Sequence, residues 1–456
     1  MKILCSGDLH IGRRASRLPA TVAGLDGRAF TASQAWLDLV ETALDLQVDL
    51  VLLSGDVVDR ANRYFEAFGP LEQGLSALAQ AQIPVVAVAG NHDFDVLPKL
   101  ARSFEAEKFR LLGARGQWER HTIYKDGRAV LHIDGWSFPD QYVRQDPLAG
   151  YRPDPADGVP VIGLLHCDLD KPQSLYAPVA SADLQRMPVS FWLLGHIHGP
   201  MLRQEAGRPG LLYPGSPMAL DPDEPGLHGP WLLTVEPDGA IEVQQLPRSR
   251  VRYETVNVDL TGLADLNAVD ERIAETLSRR LAAAVLEQGD SLRCLVATLN
   301  LHGATPLHRS LSGLSSELSD LDPRHQDAVA VVGALWVNTR PPRDLAALAE
   351  KPGPPGVLAK DLLALGRPGD PRREELLAAA RSVVEGAYHG FRSELNLPFG
   401  LHPAALLRGT GSGGGTGDGP DAGQGDAGPD DILAALLEQQ GLLLLDELLA
   451  QREEEA

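Results

Sequence analysis

The sequence predicts an α/β protein: layered sheets flanked by helices, then a smaller α/β unit and a tethered C-terminal helical segment. Three observations lead there. Short runs rich in Val, Leu and Ile alternate with longer segments of helical periodicity across residues 1–245. Five of those runs lead into clusters of Asp, Asn and His. Between Gly409 and Pro429 the composition collapses to Gly, Asp, Thr and Ser before a last apolar stretch.

In chain order, KILCSG, DLVLLSG, PVVAVAG, VIGLLH and FWLLGH read as buried strands of four to seven residues, bounded by Gly or Pro. ASQAWLDLVETALDLQ and PLEQGLSALAQAQ place apolar residues at helical spacing between the first three, a β-α-β rhythm. AVLHIDGWSF reads as a sheet edge, and LLTVEPDGAIEVQQL as a hairpin turning at Asp238-Gly239. From about Arg250, RYETVNVDL, SLRCLVATLNLHG and AVAVVGALWVNTR read as strands around an amphipathic helix, LNAVDERIAETLSRRLAAAVLEQ. Residues 341–408 read as mainly helical, interrupted by PGPPG and GRPGDPRR. The final DDILAALLEQQGLLLLDELLA has Asp430 or Asp431 as an N-cap, and Gly441 is expected to divide it into two short helices. The expected organisation is a first domain over 1–247, an α/β capping domain over 248–345, a helical extension over 346–408, a flexible linker over 409–430 and a partner-docking helix over 431–456.

At 456 residues, 44% hydrophobic, the chain is long enough for several cores. No stretch approaches the ~20 apolar residues of a membrane-spanning helix. MKILCSGDLH turns polar too early for a signal peptide, so a cytoplasmic location is expected. Cys5, Cys167 and Cys294 are odd in number and widely spaced, which argues for buried thiols and against a disulfide framework. The net charge of −21 disfavours a generic phosphate-backbone binder. Part of it is local: from Leu407 to Ala456 two arginines stand against eleven acids, so this tail holds −9 of the −21.

The chemistry lies in the five clusters. Ligands of open α/β folds collect beyond the carboxyl ends of strands, where all five sit. Asp8, His10, Asp56, Asn91, His166, His196 and His198 offer carboxylate, carboxamide and imidazole donors without a thiolate. That set suits hard or borderline divalent ions, most of all Mn²⁺, with Fe²⁺ or Mg²⁺ as alternatives. Asp56, with two oxygens, can bridge two ions. A pair of ions roughly 3.5–4 Å apart clamps the attacking and leaving oxygens of a phosphate ester. His166 alone would be as compatible with a structural histidine; the GNHD and GHIH clusters together are not. Asp59 fits either a place beside the ligands or a helix start. Arg13 and Arg14 fit either a DNA phosphate or solvent, and Tyr64 and Phe65 either base stacking or helix packing.

DLH at 8–10, GDVVDR at 55–60, GNHD at 90–93, the His of LLHCD and GHIH at 195–198 resemble the ordered signature of the calcineurin-like metallophosphoesterases. KILCSGDLHIGRR and LYPGSPMALDPDE resemble the SbcD-type DNA repair nucleases, particularly their YhaO-like branch. The resemblance implies a layered β-sandwich metallophosphoesterase core. It implies one ion held by Asp8, His10, Asp56 and His198, and a second by Asp56, Asn91, His166 and His196. His92 would be a catalytic group facing the scissile phosphate. Asp93 would either orient its ring or cap the loop that follows. It further implies a Mn²⁺-dependent double-strand exonuclease, with single-strand endonuclease activity as an addition, acting in DNA repair as a homodimer. An SMC-like coiled-coil ATPase would be the partner, bound through the C-terminal segment. A phosphatase or cyclic-nucleotide phosphodiesterase shares the same motifs and is the rival reading; a non-enzymatic adaptor should have lost ligands, and all seven are present.

Overall fold

The computed structural model describes residues 1–18, 26–60, 65–105, 108–153, 158–311, 323–390 and 429–454, so Tyr64 and residues 409–428 of the linker expected over 409–430 lie outside the described residues. The chain divides into two compact units, Met1–Pro341 and Pro342–Ala456.

Two six-stranded sheets build most of the first unit. One runs Ile241–Gln245, Trp231–Val235, Lys2–Ser6, Leu50–Leu53, Val85–Ala87, Phe109–Leu111 from edge to edge, the last four strands parallel. The other runs Met201–Arg203, Gly210–Tyr213, Phe191–Gly195, Val161–His166, Arg128–Trp136, Glu119–Lys125, parallel through its middle. Successive side chains of a strand point to opposite faces. Ile3, Cys5, Leu50 and Leu52 therefore meet Ile133, Ile162, Leu164 and Leu193 between the sheets. Leu4, Val51 and Leu53 face the other way, onto helices Ala32–Leu46 and Phe65–Gln80. Leu165, Trp192, Leu194 and Leu211 cover the outer face of the second sheet. Burial on both faces explains why these strands read as continuous apolar runs. The two helices approach closely because Gly74 leaves room for the Trp36 indole, which a Cβ there would meet at 2.3 Å.

AVLHIDGWSF is not a sheet edge as expected. Its strand, Arg128–Trp136, is paired on both sides, and Glu119–Lys125 forms the edge. The two join through Asp126 and Gly127, both in the left-handed region that tight hairpins need.

A four-stranded sheet of Val251–Asp259, Cys294–Ala304, Ala328–Arg340 and Arg324–His325 follows, with helix Leu266–Gln288 packed on it. Val251, Tyr253, Val296 and Val331 share a core with Ala15, Phe30, Met218 and Leu220, and the Arg250 guanidinium grips the Asp38 carboxylate at 2.6 and 2.8 Å. The sheet of this segment completes a core begun by residues of the first domain. All three cysteines are buried, and burial pushes the thiols of Cys167 and Cys294 up to about 12. Among the described residues no helix is long and apolar enough to cross a membrane.

Among the described residues of the second unit are helices Leu345–Ala349, Pro354–Leu365, Pro371–Gly390 and Pro429–Glu454. The last is continuous through Gly441, contrary to the expected break. A Cβ at Gly441 would lie 2.8 Å from Leu362 Cδ2, so close packing against helix Pro354–Leu365 explains the glycine. The apolar face of this segment packs on its own chain. Leu442 and Leu445 are buried with Ala359 and Leu362, and Leu433 and Ala434 with Leu377. Ion pairs of Arg343 with Asp446 at 3.0 Å and Arg373 with Asp431 at 2.9 Å fix the register. Leu443 and Leu444 remain about half exposed.

Leu445→Ala is expected to destabilise the helical unit by about 2–5 kcal/mol, the usual cost of emptying a buried leucine site. The far-UV CD transition in urea should shift to lower urea while tryptophan fluorescence, whose six reporters all lie in residues 1–341, keeps its midpoint. An unshifted CD transition would show that this helix does not pack as described.

Candidate metal centre

The carboxyl ends of both large sheets open at one place, and all seven sequence-predicted donors arrive there. Asp8 follows Lys2–Ser6, Asp56 follows Leu50–Leu53 and Asn91 follows Val85–Ala87; His166 ends Val161–His166, and His196 and His198 follow Phe191–Gly195. Asp8, His10, Asp56, Asn91 and His166 are buried.

The donors fall into two groups. His10 Nε2 and His198 Nε2 lie 3.0 Å apart, with Asp8 in the same cluster. On the other side, His166 Nε2 and His196 Nδ1 each lie 3.1 Å from Asn91 Oδ1. Asp56 stands between: its Oδ2 is 3.8 Å from His10 Nε2 and 3.4 Å from His166 Nε2.

The ring nitrogens that face away are held from outside. His166 Nδ1 donates to the Ser54 carbonyl at 3.0 Å, and because a carbonyl only accepts, the neutral ring's lone pair is on Nε2, toward the site. His198 Nδ1 is 2.7 Å from Glu224 Oε1, His10 Nδ1 is 3.3 Å from Asp59 Oδ1, and His196 Nε2 is 3.5 Å from Asp168 Oδ2. Of these acids the sequence reading weighed only Asp59. Glu224 lay within the LYPGSPMALDPDE resemblance without a role, and Asp168 follows the LLH motif by two positions.

His92 differs from the ligands. Its side chain is 36% exposed, against 1% for His10 and 0% for His166, and its ring stands edge-on to His10 at 4.7 Å. Asp59 Oδ1 lies 3.4 Å from His92 Nδ1 and raises the ring's pKa above its ordinary value. The Asp93 carboxylate turns to backbone that precedes it, and neither to the His92 ring nor to the loop that follows. Its Oδ2 accepts from the Val57 and Val58 amides at 2.7 and 3.2 Å, and its Oδ1 from Gly90 at 2.8 Å. Burial, and after it the charge of Asp56, push Asp93 up to about 7.

The backbone is bent to make this convergence. Asp8, His10, Asp56 and His196 all adopt positive φ, a conformation that costs a non-glycine residue of order 1–3 kcal/mol and that clusters at functional sites. A Cβ on Gly90 would meet Asp56 Oδ1 at 2.2 Å, and one on Gly195 the Ser54 carbonyl oxygen at 2.0 Å. Any larger residue would push apart the strand ends that bring the donors together.

The residues fit a pair of divalent cations. Burial opposes the charged form of Asp56, yet the His166, His10 and His92 rings hold its pKa below the usual carboxylate range. Reciprocally, burial lowers His166 but the Asp56 charge outweighs it and raises the ring to about 9. Buried carboxylates thus draw positive charge to this place: protons on the rings, or cations where those rings are neutral and turn their lone pairs inward.

Residues 1–200 match the calcineurin-like phosphoesterase family, and residues 253–339 match the middle domain of metallophosphoesterase YhaO. The chain is 28% identical over 243 residues to the uncharacterized metallophosphoesterase YhaO of Bacillus subtilis, covering 53% of this chain and 58% of that protein. It is 24% identical over 306 residues to the DNA double-strand break repair protein Mre11 of Methanopyrus kandleri, covering 62% of each. With the Mre11 protein of Aeropyrum pernix it shares 26% over 291 residues, covering 61% of this chain and 68% of the relative. The chain therefore spans about three fifths of the length of the first two relatives.

Adding Mn²⁺ to metal-free protein is expected to raise its melting temperature, because binding at a hundredfold excess over Kd stabilises by about 2.7 kcal/mol per site. Asp56→Asn, which removes the charge between the two groups, should abolish most of that rise. A rise of wild-type size in the variant would contradict the bridging position.

Proposed function

We propose that this calcineurin-like metallophosphoesterase, with its YhaO-type middle domain over residues 253–339, is a DNA nuclease that cleaves phosphodiester bonds with two Mn²⁺ ions. That it is a metal-dependent phosphoesterase rests on the family match and the donor set. The step to DNA is supported by the Mre11 relatives and by a middle domain that shares a core with the metal-binding domain, a larger platform than a small phosphoester requires.

The observation that carries the chemistry is the His92 imidazole, more exposed than His196 or His198, beside the donor set. Two divalent cations supply Lewis acidity toward the phosphate and lower the pKa of attacking water. Asp8, His10 and His198 would hold one cation and Asn91, His166 and His196 the other, with Asp56 standing between the two groups. In its charged form, which Asp59 at Nδ1 favours, His92 carries a proton on Nε2 that it would give to the departing 3′ or 5′ oxygen, steadying the charge that develops there. Asp93 holds the Gly90–Asp93 loop against the Val57 and Val58 amides and so sets the height of His92.

In this reading the enzyme is a double-strand exonuclease with single-strand endonuclease activity. It works in cytoplasmic DNA repair as a homodimer with an SMC-like coiled-coil ATPase. Leu443 and Leu444, left outward by the C-terminal helix, are the apolar pair that supports such a partner. The chain's −21 charge is an argument for a partner too, since affinity for DNA must then be supplemented.

With Mn²⁺, duplex DNA, hairpin DNA, bis-para-nitrophenyl phosphate and nucleotides separate the readings. The nuclease should degrade DNA, and His92→Gln should lose about 10²–10⁴-fold in rate while still binding Mn²⁺. Hydrolysis confined to the small phosphoesters would favour the phosphatase reading and reject the nuclease.

A further inference from the structure

Behind His198, on the side away from the site, lies a buried carboxylate with every oxygen engaged. Glu224 is 6% exposed. Its Oε1 sits 2.7 Å from His198 Nδ1; its Oε2 accepts from the Ser216 hydroxyl at 2.8 Å and from the Leu220 amide at 2.9 Å. Ser216 is held in turn by His228, whose Nδ1 is 3.2 Å from its hydroxyl and 2.9 Å from its carbonyl oxygen. An ionised carboxylate has only acceptors to offer, so the nitrogen of His198 facing it must carry a proton. In the neutral ring the lone pair is then on Nε2, the atom that lies 3.0 Å from His10 Nε2.

We propose that Glu224 is the positioning residue for one of the two cation positions: it fixes the tautomer and aim of His198, and thereby sets the affinity of the position shared with Asp8 and His10 alone. This rests on the two-metal reading above. His166 and His196 take their own outward partners, Ser54 and Asp168, so the second position does not depend on Glu224. Hydrogen-bond partners of metal-ligating histidines are worth about 10–100-fold in metal affinity.

Glu224→Gln separates this role from bulk packing. The carboxamide keeps one oxygen for Ser216 and Leu220, and its NH₂ faces His198 Nδ1. A donor there drives the ring proton to Nε2 and takes the lone pair out of the site. Titration of the full chain with Mn²⁺, followed by calorimetry and by the EPR signal of free ion, should give two bound ions in the wild type. In Glu224→Gln one ion should bind about 10–100-fold more weakly and the other within about twofold of wild type. Equal weakening of both ions, or no weakening, overturns the proposal. A wild-type protein that binds no ion pair overturns the two-metal reading itself, so the two failures are distinct.

A second measurement holds even where the variant folds poorly. In metal-free wild type at alkaline pH, where the ring is neutral, imidazole ¹⁵N shifts should show His198 protonated at Nδ1. A proton on Nε2 overturns the proposal irrespective of the variant. In folded Glu224→Gln the Nε2–H form should appear at His198 and leave His166 unchanged; an unaltered His198 tautomer counts equally against the assignment.

Discussion

Two carboxylates, Asp8 and Asp56, lie buried where the strand ends of two stacked sheets meet, and the groups turned toward them are imidazoles and one carboxamide. Removing such charges from water costs several kcal/mol each unless positive charge is brought to them. In this chain the compensation is delegated to cations, and the surroundings are arranged around that need. Each candidate ring has an acceptor near its outward nitrogen, Ser54 for His166, Glu224 for His198, Asp59 for His10 and Asp168 for His196, and its other nitrogen faces inward. His92, the most exposed of these histidines, has Asp59 at its Nδ1.

Convergence is costly for the backbone as well. A strand delivers alternate side chains to opposite faces and cannot by itself aim neighbouring residues at one point. The chain solves this just past the strand ends, where Asp8, His10, Asp56 and His196 turn into the left-handed region. Gly90 and Gly195 remove the Cβ atoms that would keep neighbouring loops apart. The strain is supported by what lies beneath: the apolar layer between the sheets on one side, and helices Ala32–Leu46 and Phe65–Gln80 on the other.

Much of this is legible in the sequence because strands buried on both faces leave unbroken apolar runs, and the residues that follow such runs are placed by the fold at one rim. Asp8, Asp56, Asn91 and His196 could be located that way. What could not be read are contacts with no local period. Glu224 lies 26 positions from His198 and reaches it only through the fold of the 212–224 segment. Asp93 neighbours His92 in sequence, yet its carboxylate turns toward the Val57 and Val58 amides while Asp59 comes to the ring from another loop. Gly441 carries the local signal of a helix break, but tertiary packing on Leu362 outweighs its propensity cost of about 1 kcal/mol. The Arg128–Trp136 strand was misread as an edge because its neighbour, Glu119–Lys125, is too polar to announce itself as one.

The account depends on cations occupying the space between the two donor groups, and crystals grown with Mn²⁺ test it most directly. Anomalous scattering should give two peaks about 3.5–4 Å apart, one among Asp8, His10 and His198, the other among Asn91, His166 and His196, with Asp56 touching both. A single peak away from Asp56, or peaks bound only to surface carboxylates, would contradict it.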